Sequence, residues 1–520
     1  MSLLSLIIAV PLLAAIGLFF VPRGSNYLYP IIARGAAGIS FILSLGIFLF
    51  FPSMPTGPGG FKFYEKVAWV ESLGINYQVG VDGINVGLIL MGAAVAFAAA
   101  FAGWGIKHRE REFYFLFLVM VSGILGAFAS LDVFFFYFFH ELALVPTFIM
   151  IGVWGRGEDR NYATFKITIY LTLGAMLALV GLVALYVQSG AQTFDMIELS
   201  NHVAENPIPA AQQNIIFPLM LFGFGILVSI WPLHTWAPVG YGAAPTAAAM
   251  LHAGVLKKFG LYGLIRLAIP LVPEGMRAWL EVLCFLALGN ILYCGWVAMR
   301  QKDLNFLIGN SSVAHMGMAF LGIASLTLIG VTGAVAIMVA HGLLAALAFG
   351  ISGYLYHQKG TTEISKLGGL LQQLPFVGTC LVIAMLAGCG VPGFANFAGE
   401  ILVLFGAWDS LPWFVVAGAW GALVIGAVYC LRAIRNILHG PLAEENASLQ
   451  DTTSFNAKLP FALLVVLLVL FGVYPRLLTD KISRSAEPLI EQANKGLIQA
   501  EADSGLKLGT SVSLQKRIDF

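Results

Sequence analysis

Charged residues are scarce in this sequence. Only 11% of the 520 residues are Asp, Glu, Lys or Arg, whereas an average soluble domain carries roughly 25%. Hydrophobic residues make up 59% of the chain, which leaves too few polar side chains to cover a water-facing surface. These proportions exclude a water-soluble globular protein and predict an all-α, polytopic membrane protein. The net charge of +1 argues against a nucleic-acid binder.

Cysteine is also rare, and no two cysteines have CxxC spacing. All five lie in apolar runs, at Cys284, Cys294, Cys380, Cys389 and Cys430. This pattern predicts neither a disulfide framework nor a zinc or iron–sulfur site, so we expect no metal and no redox cofactor in this chain. No basic segment precedes the first apolar run, at residues 3–21, so that run indicates a first membrane span rather than a cleavable signal.

Apolar runs of about 20 residues are abundant, and they predict about 14 membrane spans. The predicted spans begin near residues 3, 30, 83, 112, 132, 164, 214, 244, 278, 303, 329, 374, 411 and 459. Residues 52–82 are predicted to form an external loop with a short hairpin. We therefore predict one transmembrane domain over residues 1–478 and a C-terminal segment over residues 479–520. That segment divides into an amphipathic helix at 479–503 and a polar tail at 504–520.

Basic residues are distributed unevenly between the two sets of loops. The loops after even-numbered spans contain only Lys62, Lys66 and Arg277. The loops after odd-numbered spans contain Arg23, Lys107, Arg109, Arg111, Arg156, Arg160, Arg300, Lys302, Lys359, Lys366, Arg432, Arg435 and Lys458. The positive-inside rule then places the odd loops in the cytoplasm and both termini on the opposite side. We expect a bacterial plasma membrane with periplasmic termini, and an organellar inner membrane is the alternative.

Four charged residues are predicted to lie at depths that a lipid-facing helix tolerates poorly. Glu141 lies mid-way along the fifth span, Lys257 and Lys258 lie in the eighth, and Glu400 lies in the twelfth. A central charge costs at least ~2.5 kcal/mol on insertion scales, so we expect these groups to be buried in the bundle and to mark an ion route. A structural alternative for Glu141 is a carboxylate kept protonated or paired. We expect only one of the two lysines to face the interior, because adjacent helical residues point about 100° apart.

Proline and glycine interrupt two of the apolar runs. We predict that the seventh and twelfth spans are broken, near residues 229–232 and 390–393, because proline removes a backbone donor and clashes with the preceding turn. A pair of broken helices at corresponding places is typical of transporters built from inverted repeats.

Four histidines also lie in apolar runs: His234, His252, His315 and His341. Each by itself is as compatible with a satisfied core position as with a function. Together with Glu141, a lysine and Glu400, they support a hydrated proton relay across the bundle. A metal site is the less favoured alternative, because no two histidines lie four residues apart on one helix.

Seven stretches of the sequence are similar to stretches of one membrane-protein family. They are YQVGVDGINVGL, SLDVFFFYFFHELALVPTFIMIGVWG, PLHTWAP, APTAAAMLHAGVLKKFGLYGLIR, SSVAHMGMAFLGI, AHGLLAALAF and GVPGFANFAGEILVLFGAW. In this order they resemble the proton-translocating membrane subunits of respiratory complex I, which are similar to Na+/H+ antiporters. Within that family the resemblance is closest to the branch called subunit M or chain 4. It implies an antiporter-like fold and a subunit of a translocase, NADH:quinone oxidoreductase, that couples electron transfer to proton movement.

The resemblance also implies roles for individual residues and for partners. Glu141 matches the fifth-helix glutamate, Lys258 matches the eighth-helix lysine, and Glu400 matches the twelfth-helix glutamate of the exit route. His315 and His341 match the central histidines. The implied partners are neighbouring antiporter-like subunits and a peripheral arm, and the implied cofactors in those partners are flavin, iron–sulfur clusters and quinone.

One lysine of the family pattern is missing. The family's seventh helix carries a lysine five residues before its PLH-x-W motif, and this sequence has Leu227 there, with no lysine between Lys166 and Lys257. His234, within the motif, is retained as a candidate, although a structural role at the helix break is favoured. Three functions therefore stay open. They are a proton-translocating complex I subunit, a subunit of a cation/proton antiporter or hydrogenase-linked complex, and a structural complex I subunit that no longer pumps.

Overall fold

A computed structural model of the protein describes residues 2–22, 24–103 and 105–504, with side chains described as far as residue 500. Residues 505–520, which make up nearly all of the predicted polar tail, lie outside the described residues. Within the described part, eleven helices are long and apolar enough to cross a membrane, and three further apolar helices are shorter. The predicted all-α membrane class is thereby confirmed, while the number of 14 spans stays a prediction.

Two helices, a hairpin and six further helices form the first half of the chain. They are α1 (Leu3–Gly17), α2 (Leu28–Phe50), β1 (Lys62–Val70), β2 (Ile75–Val81), α3 (Gly83–Ala99), α4 (Glu110–Ala129), α5 (Val133–Trp154), α6 (Arg160–Ser189), α7 (Met196–Glu205) and α8 (Ala210–Val228).

The second half contains fifteen helices among the described residues, several of them joined into longer helical runs. They are α9 (Trp236–Ala243), α10 (Thr246–Leu251), α11 (Lys258–Gly263), α12 (Ile269–Leu271), α13 (Pro273–Ala278), α14 (Leu280–Leu288), α15 (Gly295–Arg300), α16 (Leu304–Ala324), α17 (Leu328–Lys359), α18 (Pro375–Gly388), α19 (Ala395–Trp408), α20 (Pro412–Ala419), α21 (Gly426–Leu438), α22 (Phe455–Val473) and α23 (Arg476–Ser504). The π-helical turns that join them are His252–Leu256, Leu264–Ala268, Gly289–Cys294 and Trp420–Ile425.

The hairpin predicted within residues 52–82 is present. Strands β1 and β2 pair antiparallel, with Lys62 opposite Val81 and Val70 opposite Ile75. Glu65, on β1, ties the hairpin to the start of α1, because its carboxylate accepts hydrogen bonds from the Ser5 hydroxyl and from the Ser2 N–H.

We expect Glu65→Gln to destabilise the protein in a pH-dependent way. Burial raises the pKa of the Glu65 carboxyl, but the hydrogen bonds from Ser5 and Ser2 outweigh burial and lower the pKa to about 2. A carboxyl whose pKa is lowered on folding stabilises the fold above its unfolded pKa, and this contribution is lost as the pH falls towards the folded pKa. The melting temperature of the variant should therefore lie below that of the parent protein at pH 7, and the difference should close between about pH 4.5 and pH 2.

The control is Glu71→Gln, since Glu71 is exposed in the turn between the same two strands. That variant should melt with the parent protein at every pH. A Glu65→Gln difference that is the same at pH 7 and pH 3 would contradict this account of the hairpin's attachment.

A buried ion pair fixes the end of the hairpin to the middle of the chain. Asp82 caps α3, where its carboxylate accepts hydrogen bonds from the N–H groups of Ile84 and Asn85. The same carboxylate pairs with the Arg266 guanidinium, and Arg266 Nε also donates to the Tyr262 hydroxyl at 3.0 Å. Breaking such a pair leaves an uncompensated buried charge, so this contact holds the hairpin on the helix bundle.

Non-helical segments separate two pairs of helices near residues 229–232 and 390–393, and that each pair forms one broken membrane span stays a prediction. Helix α8 ends at Val228 and α9 begins at Trp236, while α18 ends at Gly388 and α19 begins at Ala395. The first gap is bridged by Asn290, whose amide donates to a backbone carbonyl in the gap at 3.2 Å and to one of α16 at 3.1 Å. Such bonds replace the backbone partners that an unbroken helix would supply. The relation of the two halves as inverted repeats stays a prediction.

The centre of the bundle is formed by α16 and α17. Nearly every residue of these two helices is buried, as expected for helices that are apolar on all sides. Helix α19 packs on α17 with the two backbones in contact, because glycine occupies the crossing positions. A Cβ on Gly333 would lie 2.7 Å from the Val403 nitrogen, and one on Gly399 would lie 2.9 Å from the Ile337 nitrogen. These two helices are therefore locked together at the level of Glu400.

Close packing of α6 against α8 depends on another glycine. A Cβ on Gly223 would collide with the backbone of Ala178 on α6. We expect Gly223→Ala to push the two helices apart and to lower the free energy of unfolding by about 1–3 kcal/mol, the usual cost of overpacking. Thermal unfolding of the purified protein in detergent measures this loss.

The matched control is Gly46→Ala on α2, because a Cβ at Gly46 meets no atom within 4 Å. Alanine also has the higher helix propensity, so the control should melt at or above the temperature of the parent protein. Equal melting temperatures for the two variants would show that the α6–α8 contact tolerates a methyl group.

The last described helix covers one end of the bundle. Helix α23 contains the segment predicted as amphipathic, and Leu478, Ile482 and Ile490 lie on its buried side. The Ser485 hydroxyl accepts a hydrogen bond of 2.8 Å from the N–H of Gly83, the first residue of α3. This helix therefore packs on the protein through its apolar face, close to the Asp82–Arg266 pair.

Candidate functional site

Both lysines of the pair at 257 and 258 point into the protein. A π-helical turn directly precedes them, and their side chains are 1% and 0% exposed. Lys257 Nζ donates to Ser312 Oγ on α16 at 2.9 Å, whereas Lys258 Nζ lies 2.9 Å from His341 Nδ1 on α17. The prediction that only one lysine faces the interior is therefore wrong. Neighbouring helical positions point about 100° apart, and here each direction meets a different central helix.

A row of four side chains runs from Lys258 to Glu400. His341, in contact with Lys258, lies next to His315, with 5.4 Å between the two ring centroids. His315 Nε2 is 3.8 Å from Glu400 Oε1. All four side chains are buried. The structure thus brings together four of the predicted site residues, supplied by α11, α17, α16 and α19.

The histidine in the middle of this row contacts two carbonyl oxygens. His315 Nδ1 is 2.7 Å from the Ser311 carbonyl, and Nε2 is 3.2 Å from the Gly388 carbonyl at the end of α18. A neutral imidazole carries one N–H, so only the protonated ring donates to both carbonyls. The site therefore suits a histidine that alternates between the neutral and the cationic form beside the Glu400 carboxylate.

A small cavity adjoins the two histidines. Its volume is about 20 Å³, and its lining includes His315, His341, Ser311 and Ser312. That is room for one water molecule, and the hydroxyl and imidazole groups supply hydrogen-bond partners for it. A water molecule here can bridge the gap between the two rings.

Glu141 lies apart from this row and closer to the surface than predicted. Its side chain is 32% exposed but its Oε1 atom is buried, so the prediction that the carboxylate lies inside the bundle is met only in part. The inward position on α5 is taken by His140, which is 1% exposed and stacks on Phe259 with 3.9 Å between ring centroids. Glu141 Oε1 is 3.7 Å from His140 Nδ1. The sequence gives the depth of Glu141 along the helix but not the direction in which it points.

The two remaining histidines lie outside the row. His234 follows the break after α8 and packs against the ring of Tyr293, with 5.8 Å between centroids. His252 stacks on Trp236 at 5.4 Å. Leu227, at the position where the resemblance implied a lysine, is buried among apolar side chains near the end of α8. These contacts fit packing roles for both histidines.

Three contributors to the site were not predicted as functional from the sequence. His140 is one of them. The sequence feature that could have identified it is its position directly before Glu141 in an apolar span. The others are Tyr429 and Cys430 on α21. The Tyr429 hydroxyl accepts a hydrogen bond of 3.0 Å from Ser311, and Cys430 lines the small cavity. No sequence signal marks these two residues, because each resembles an ordinary apolar position. Among the described residues, no three His, Cys, Asp or Glu side chains converge to hold a metal ion.

Comparisons with known proteins show that the chain is similar to subunits of membrane-bound oxidoreductase complexes. Residues 130–426 match the family model described as NADH:quinone oxidoreductase/Mrp antiporter, TM. NADH-quinone oxidoreductase subunit M of Rhodobacter capsulatus is 34% identical, over 97% of this chain and 99% of that protein. F(420)H(2) dehydrogenase subunit M of Methanosarcina mazei is also 34% identical, over 94% and 98%. A chain of respiratory complex I from Thermus thermophilus with bound NADH superposes with a TM-score of 0.85 at 30% identity, over 94% of this chain and 99% of that chain.

Proposed function

Because the chain belongs to the NADH:quinone oxidoreductase/Mrp antiporter family of transmembrane proteins, we propose that it translocates protons as a membrane-arm subunit of an NADH:quinone oxidoreductase. Its partners are the other membrane subunits of that complex and a peripheral arm. The peripheral arm oxidises NADH, and flavin, iron–sulfur clusters and quinone bind in those partner subunits. This chain contributes the path for protons, and bacterial plasma membrane with both termini on the periplasmic side is the proposed location.

The row from Lys258 to Glu400 carries this proposal. In the proposed path, the Lys258 ammonium gives a proton to His341 Nδ1, which is 2.9 Å away. The proton crosses to His315 through water in the small cavity. His315 Nε2 and Glu400 Oε1 are 3.8 Å apart, so the two side chains rotate to hydrogen-bond distance before His315 delivers the proton to the carboxylate. Titratable groups enclosed in protein at membrane depth are the usual components of proton relays. An ammonium that is alternately exposed to and shielded from a moving charge can start such a transfer.

The first half of the path has to work without the family's seventh-helix lysine. Leu227 cannot carry a proton, and His140 is a titratable neighbour of Glu141, with its Nδ1 3.7 Å from Glu141 Oε1. His140 also stacks on Phe259, the residue that follows Lys258. We therefore assign to His140 the transfer of protons from Glu141 towards Lys258. Glu141 itself is accessible from outside the chain, so it is suited to receive protons at the boundary with a neighbouring subunit.

Isolation of the assembled complex tests the proposed membership. A tag on this chain should recover subunits that contain flavin and iron–sulfur clusters, and the preparation should reduce quinone with NADH. Recovery of membrane subunits alone would favour the antiporter alternative. Reduction of quinone with F420H2 but not with NADH would assign the chain to a complex like that of the Methanosarcina relative. An active complex whose proton-to-electron ratio is unchanged by Lys258→Met and by Glu400→Gln would favour the structural alternative.

A further inference from the structure

A basic pocket lies where α15 and α21 end and α16 begins, on the side of the chain that carries most of its basic loop residues. Its volume is about 520 Å³. Four of its lining residues can be cationic: Lys302, Arg432, Arg435 and His439. None of the described lining residues is Asp or Glu. The pocket thus presents positive charge without a carboxylate of its own to neutralise it.

The basic side chains converge because of their spacing. Arg432, Arg435 and His439 follow one another at three and four residues along α21 and just beyond its end, so they share one face. Lys302 comes from the connection between α15 and α16 on the opposite wall. Arg432 Nη1 donates to the Met299 carbonyl at 3.0 Å, which holds the two walls together. All four basic residues are exposed, so a ligand can reach them.

An exposed apolar strip leads away from the pocket along the same helices. Val424, Val428 and Leu431 are exposed at spacings of four and three residues along the α20–α21 run, and Trp296 is exposed on α15. This strip ends next to Arg432. In a membrane protein, such a strip faces acyl chains, and basic and aromatic residues at its end lie at the level of the headgroups.

We propose that this pocket binds the phosphate of an anionic phospholipid whose acyl chains lie along the apolar strip. Guanidinium groups match phosphate oxygens in geometry and charge, and two of them are available here. Basic pockets between membrane helices bind anionic headgroups in this way. The pocket selects an anionic lipid over a zwitterionic one, because its lining offers no carboxylate to a headgroup ammonium. Free inorganic phosphate shares the anion but leaves the apolar strip uncovered.

Lipid binding to the purified, delipidated complex tests this site. The variant is Arg432→Gln with Arg435→Gln, and the matched control is Lys107→Gln with Arg109→Gln, which removes two exposed charges from another loop. The probes are phosphatidylglycerol, phosphatidylcholine and inorganic phosphate, and bound lipid is counted by native mass spectrometry. Each basic residue contributes about fivefold to binding of an anionic lipid, so the double variant should bind phosphatidylglycerol roughly 25-fold more weakly at this site. The control variant should bind phosphatidylglycerol at this site as tightly as the parent complex does.

Three results would overturn the proposal. Equal occupancy by phosphatidylcholine would show that the charge does not select the lipid. Release of phosphatidylglycerol by millimolar inorganic phosphate at constant ionic strength would show a free-anion site. An unchanged number of bound lipids in the Arg432→Gln, Arg435→Gln complex would show that the pocket is covered by another subunit.

Discussion

Replacement of Lys258 by methionine should abolish proton translocation by this subunit while the complex still assembles and oxidises NADH. Methionine keeps the length of the side chain but removes the ammonium that lies 2.9 Å from His341. His341 Nδ1 then has no proton donor next to it, and the proposed relay lacks its first residue. We expect the proton flux through this chain to fall by about 100-fold or more, because a positioned proton-transfer group usually raises a rate by at least that factor. The measurement is the proton-to-electron ratio in proteoliposomes.

Lys257→Met is the matched control, since Lys257 lies on the same helix, is equally buried and bonds Ser312 instead of His341. It should keep the proton-to-electron ratio of the parent complex. NADH oxidation with an artificial acceptor reports on the peripheral arm and should be unchanged in both variants. A normal ratio in Lys258→Met, or the same loss in both variants, would show that Lys258 is not a specific member of the relay.

Glu400→Gln should block the far end of the same row. Glutamine has the shape of glutamate, so the packing of α19 is retained, but it cannot take a proton from His315 across the 3.8 Å gap. We again expect a loss of about 100-fold in proton flux through this chain. Electron transfer with an artificial acceptor should continue.

Glu400→Asp distinguishes loss of the titratable group from disturbance of the packing. Aspartate keeps a carboxyl but shortens its reach, so it should retain part of the flux, with water closing the gap. If aspartate and glutamine are equally inactive while the fold is intact, the position of the carboxyl matters more than its proton. If both are fully active, Glu400 lies outside the route.

The fold class and the four residues of the row could be predicted from the sequence for a simple reason. A buried charge in an apolar run is costly, so Lys258 and Glu400 are conspicuous, and the histidines of α16 and α17 are the titratable groups between them. The positions of these residues near the middle of their predicted spans were enough to suggest a single path for protons. The resemblance to complex I subunits pointed to the same residues.

Directions around a helix axis could not be predicted in the same way. The side chains of Lys257 and Lys258 both point inwards, and His140 occupies the buried position that was predicted for Glu141. An apolar helix surrounded by lipid on one side and protein on the other shows little periodicity, so its sequence does not say which face is inside. The contribution of Tyr429 was missed for a further reason, because it depends on contact between helices far apart in the chain.

The glycine contacts between α17 and α19 limit how the relay can be driven. Glu400 is carried by a helix whose backbone touches that of α17 at Gly333 and Gly399, so neither helix can slide or turn past the other without a clash. These contacts fix the backbone of Glu400 relative to that of His341 on α17. Changes in the distance between Glu400 and His315, which lies on α16, must therefore come from α16 or from rotation of the two side chains.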